Sequence, residues 1–87
     1  MKRDPLATGL FATMKNDTKE VGARIKAARQ QAGMTQRALA DALHIAAAGV
    51  QRISNWEMGE KRPKHDAILR IAAALHVSPR WIEYEDR

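Results

Sequence analysis

From Val21 onward the apolar residues return at the spacing of a helix. Val21, Ile25, Ala28 and Ala32 lie four, three and four apart on one stripe, with Arg24, Lys26, Arg29 and Gln30 off it. Gly33 ends this first helix in the left-handed position that glycine adopts without strain. Thr35 is placed to cap a second helix with the stripe Ala38, Leu39, Ala42 and Leu43. An alanine-rich joint, His44 to Ala48, precedes a third helix that runs to about Met58 and is stopped by Gly59. Lys61-Arg62-Pro63-Lys64 reads as a basic loop, and Ile68, Ile71, Ala72 and Leu75 mark a fourth amphipathic helix. Ser78-Pro79 then opens a fifth, because serine can cap while proline fills the first turn, where its missing N–H costs nothing; Trp81 and Ile82 are its apolar load. No segment alternates with period two, so the expectation is a compact all-α domain of five short helices spanning residues 20–87. Met1 to about Lys19 shows no sustained period and contains Pro5 and Gly9, so residues 1–19 are expected to be a flexible arm or leader.

The third helix is the segment with chemistry to offer. Ile53 and Trp56 form one edge, suited to packing, while Gln51, Arg52 and Asn55 form another that carries hydrogen-bonding groups. Asn and Gln can pair bidentately with adenine and Arg with guanine in a major groove, so the pattern describes a rod seated from behind and read from the front. Trp56 is expected in the core rather than against a base, given its spacing from Ile53.

Composition narrows the alternatives. At 87 residues the chain suits one small domain, and with no cysteine it has neither disulfides nor cysteine-held zinc, which makes a reducing interior the expected location. No signal-peptide core and no apolar run near the roughly 20 residues of a membrane span is present, so a cytoplasmic protein with no membrane partner is expected. Fifteen Lys and Arg against ten Asp and Glu give +5, which favours a polyanionic partner, although charge alone speaks to binding and solubility rather than fold. Lys2, Arg3, Lys15 and Lys19 would suit a basic arm reaching a minor groove, but a disordered tail is the favoured reading. His44, His65 and His76 are too scattered along the helices for a metal site, and no cofactor or small-molecule substrate is indicated. The carboxylates are dispersed, Ser54 and Ser78 have no histidine at helical spacing, and there is no glycine-rich phosphate loop, so an enzyme is not expected.

Taken together, Arg24-Ile25, Arg29, Gly33-Met34-Thr35-Gln36, Leu39-Ala40, Ile53 to Gly59, Arg62-Pro63 and Leu75 to Ile82 resemble the Cro/cI-type helix-turn-helix family of phage repressors and bacterial regulators. The resemblance implies a lambda-repressor-like fold and a transcriptional regulator, of phage or prophage repressor type, that binds a pseudo-palindromic DNA operator as a homodimer. It implies base contacts from Gln51, Arg52 and Asn55, and phosphate contacts from Thr35, Gln36, Lys61, Arg62 and Lys64. It also implies a structural ion pair between Arg29 and Glu57, and a dimer patch at Trp81 and Tyr84. An antitoxin-type regulator that also clasps a toxin protein, or a helical protein-interaction module with a basic face, are the other readings this pattern allows. The chain departs from the family in two respects. His44 and His76 stand where most members have glycine, and Leu43 to Ile53 is about one helical turn longer than the family spacing, the excess falling around Ala46-Ala47-Ala48. Gln51 and Asn55 keep their face despite the insertion, because they are placed relative to Ile53 and Trp56.

Overall fold

The computed structural model describes residues 10–46 and 48–84, with side chains described from Thr18 onward. Five helices follow one another: α1 Leu10–Gln31, α2 Gln36–Ala42, α3 Gly49–Glu57, α4 His65–Leu75 and α5 Pro79–Tyr84. Among the described residues there is no strand. Helix α1 packs against α3, α4 and α5, α2 lies against α3 and α4, and α4 lies against α5.

The core draws on every helix. Val21, Ile25 and Ala28 meet Leu39, Ala40 and Leu43, then Ile53 and Trp56, then Ile68, Ile71, Ala72 and Leu75, and finally Ile82. Each fully buried isoleucine contributes about 1.5–3 kcal/mol through water removed from its surface. Two stripe assignments shift. Ala32 is exposed because it lies past the end of α1, and α2 buries Leu39, Ala40 and Leu43 while Ala38 is half-buried and Ala42 exposed. A helix of seven residues crosses its neighbours over too short a length for a full stripe to be covered.

The first helix begins earlier than its apolar stripe does. The stripe predicts a start at Val21, whereas the backbone is helical from Leu10. No proline or glycine interrupts Leu10 to Val21, and adding turns to a helix already nucleated by packing is far easier than starting one. Residues 1–9, with Lys2 and Arg3, lie outside the described residues.

Helices α1 to α4 end alike. In each, a residue two or three positions past the helix donates back to a carbonyl five positions earlier: Met34 to Arg29, Ile45 to Ala40, Glu60 to Asn55 and Val77 to Ala72. The residue between adopts positive φ, and it is Gly33 or Gly59 after α1 and α3 but His44 (57°) or His76 (59°) after α2 and α4. Arg24 closes α5 differently, with Nε donating to the Ile82 carbonyl at 2.8 Å and Nη2 to the Glu83 carbonyl at 3.1 Å. Both carbonyls lie in the last described turn of α5, where helix carbonyls accept from outside groups, and α1 supplies a donor to each.

Gly22 permits the closest crossing. A Cβ built there would sit 2.0 Å from the Trp56 carbonyl oxygen, so α1 and α3 approach backbone to backbone. That contact seats the rear of α3 against the domain and leaves its other side outward.

Candidate nucleic-acid interface

Helix α3 is divided as its pattern predicts. Ile53 is fully buried and Trp56 is 7% exposed, while Gln51 and Arg52 are exposed and Asn55 is half-buried. The Gln51 amide nitrogen donates to Asn55 Oδ1 at 3.1 Å, so two amides one turn apart are held side by side on the outward face. Helix α2 ends at Ala42 and α3 begins at Gly49, so the positions where the extra length is expected lie between the two helices. Gly49 then packs so closely that an added Cβ would stand 2.9 Å from Ala40 Cβ and 3.1 Å from Ile45 Cβ. The start of α3 is thereby pinned to α2, and Gln51 is the first exposed side chain beyond it.

The far end of α3 is held by charge. Arg29 donates from Nε to Glu57 Oε2 at 2.6 Å and from Nη2 to Oε1 at 3.1 Å, and its Nη1 donates to the Met34 carbonyl at 2.8 Å. The two side chains are only 10% and 4% exposed. The hydrogen bond to Glu57 raises the Arg29 pKa against the opposing pull of burial, and attraction to the carboxylate adds to the rise. Gln36, at the start of α2, donates its amide to Glu57 Oε1 at 3.1 Å, so one carboxylate ties α1, α2 and α3 together. Thr35 Oγ1 accepts from the Ala38 backbone N–H at 3.0 Å and caps α2.

Beside α3, a concavity of about 430 Å³ is lined by Arg52, Lys61, Arg62, Lys64 and Arg70, with Trp56, Ala67 and the acidic Asp66. A rim this cationic suits anions spaced along a backbone. In α5, Trp81 is half-buried and Tyr84 is 65% exposed, and Trp81 lines a second hollow with Ala28, Gln31, Val77 and Ser78. The histidines are dispersed: His44 and His76 close helices, and His65 faces Glu83 with Nδ1 at 3.4 Å from Oε1. Among the described residues, no group of three or more His, Cys, Asp or Glu side chains could hold a metal ion.

Comparison with known proteins identifies the family of the fold. The family model described as helix-turn-helix matches residues 25–82, which is about two thirds of the chain. The chain belongs to the helix-turn-helix family, of the Cro/cI type. It is 36% identical over 66 residues to the HTH-type transcriptional regulator DicA of Escherichia coli K12, covering 76% of this chain and 47% of that protein. It is 35% identical over 66 residues to the HTH-type transcriptional regulator ImmR of Bacillus subtilis 168, covering 76% of this chain and 50% of that protein. The chain thus spans about half the length of these curated relatives. No solved structure matches it. No helix among the described residues is long and apolar enough to cross a membrane.

Within this helix-turn-helix domain, two charged residues play parts that the sequence pattern does not announce. Arg70 of α4 reaches into the basic concavity and donates from Nη2 to the Leu43 carbonyl, holding the last turn of α2. Its signal is faint, a lone cation beside the stripe residue Ile71. Glu83, only 8% exposed, turns its carboxylate toward Arg62 and His65. It stands next to Ile82 in the short fifth helix, and its partners lie some twenty positions away, so no local pattern marks it.

Proposed function

We propose that this chain is the DNA-reading part of a transcriptional regulator of phage or prophage repressor type, which binds a pseudo-palindromic operator as a homodimer. One observation carries the reading: the Gln51–Asn55 amide pair faces outward from a helix whose other edge, Ile53 and Trp56, is buried. In this reading α3 lies in the major groove. Gln51 and Asn55 meet base edges with Arg52 beside them, while Lys61, Arg62 and Lys64, with Thr35 and Gln36 at the start of α2, meet phosphates on either side. The names of the two relatives, both transcriptional regulators, support the same role. A second copy joins through α5 at Trp81 and Tyr84, placing two third helices about one turn of DNA apart. The molecule then works in the cytoplasm and needs no catalytic group.

The test is selection of bound sequences from a random duplex pool, followed by titration of the selected site. A symmetric site should emerge. Gln51→Ala and Asn55→Ala should each lose about 1–3 kcal/mol of discrimination at their own base pair. Lys61→Ala should instead weaken all sequences alike and lower the salt slope by about one unit. A pool from which nothing is enriched at low ionic strength would end the proposal.

A further inference from the structure

We propose that Glu83 is a positioning residue for DNA binding: from α5 it sets the Arg62 guanidinium in place on the loop that follows the recognition helix. The inference rests on the DNA reading above and adds a residue to it.

A carboxylate as covered as this one must be compensated, and each of its oxygens has a basic neighbour. Arg62 Nη2 lies 3.9 Å from Oε2, and His65 Nδ1 lies 3.4 Å from Oε1. Arg62 belongs to the loop between α3 and α4, and His65 is the first residue of α4, so the carboxylate spans the end of that loop. Glu83 is itself anchored. Its own carbonyl and that of Ile82 accept from Arg24, and the adjacent Ile82 is fully buried. The chain of contacts therefore runs from α1 through α5 to a cation on the rim of the basic concavity. Arg62 is partly exposed, at 32% for its side chain, and a guanidinium has five N–H donors in a fixed fork. A guanidinium of this kind can meet a carboxylate and a phosphate oxygen at the same time.

The sign of the effect separates positioning from simple electrostatics. Removing a negative charge this close to the DNA-facing rim raises the net charge by one, which on electrostatics alone tightens binding. If Glu83 orients Arg62, the same change weakens it. The experiment is a comparison of wild type, Glu83→Gln, Arg62→Ala and the double variant on a selected duplex, each over a series of salt concentrations, with folding checked by circular dichroism. Glu83→Gln should weaken binding by about fivefold, the equivalent of one partly buried ion pair. Its salt slope should fall by about one unit, as for a lost phosphate contact, whereas mere destabilisation would leave the slope unchanged. Arg62→Ala should cost the wild type severalfold and cost Glu83→Gln less than twofold. Should Glu83→Gln fail to fold, Glu83→Asp takes its place. It keeps the charge but withdraws it by one methylene, and is expected to weaken binding in the same way. Binding that is unchanged or tighter in the folded Glu83 variant, or additive losses in the double variant, overturns the inference while leaving the DNA reading intact. A wild type that prefers no duplex overturns both.

Discussion

Replacing Glu57 by alanine is the most severe single test of how α3 is aimed. Arg29 is 8% exposed and gives two of its hydrogen bonds to Glu57, at 2.6 and 3.1 Å. Without that carboxylate the guanidinium keeps only the Met34 carbonyl, and Gln36 loses its acceptor as well. A buried charge left without its partner costs about 3–5 kcal/mol, out of the roughly 5–15 kcal/mol that holds a domain together. At about 4–8 °C per kcal/mol for a domain of this size, the midpoint of thermal unfolding followed by circular dichroism should fall by at least about 12 °C. The double variant Arg29→Met with Glu57→Leu removes both charges and should recover more than half of the loss, because the penalty lies in the orphaned ion rather than in the missing pair. The raised Arg29 pKa also fixes the pH behaviour. A cation whose folded pKa exceeds its unfolded value contributes fully below the unfolded value and loses that contribution only as pH rises through the folded one, so Arg29 adds no slope until strongly alkaline solution. A drop under about 1 kcal/mol for Glu57→Ala would mean that the pair behaves as an exposed one, and the argument from burial would be wrong.

Three smaller changes probe the frame around the site. Gly22→Ala gains helix propensity on paper, yet its Cβ would meet the Trp56 carbonyl at 2.0 Å; a loss of about 1–3 kcal/mol is expected in denaturant titration, and a gain would refute the close crossing. His76→Gly should stabilise by about 0.5–1 kcal/mol, since φ of 59° strains any residue with a Cβ, and unchanged or lower stability would contradict that strain. Thr35→Ala removes the cap of α2 and should cost about 1 kcal/mol in the same titration, with an effect below a few tenths counting against the Thr35–Ala38 hydrogen bond.

Apart from the start of α1, the helix boundaries and the division of α3 were legible from local pattern alone. Val21 and Ile25, Ile53 and Trp56, Ile68 and Ile71 recur with the helical period, and Thr35, Gly33 and Gly59 are residues whose own backbone chemistry starts or stops helices. Such signals act within a few residues, so a linear reading captures them. Where Ala40 rather than Ala42 is buried, where α1 reaches back to Leu10, and where the extra turn is absorbed, the outcome depends on how helices cross and on what nucleates them. The same holds for charge. The approach of Arg29 to Glu57 came into view only through resemblance to a family, and nothing near Glu83 in the chain foretells that Arg62, His65 and Arg24 gather around it. Period and capping are properties of neighbours along the chain, so the amino-acid order determined which segments coil and which edge of α3 stays wet. The partners of a buried charge are neighbours in space, separated here by some twenty to sixty residues, and only the packing of the five helices chose them.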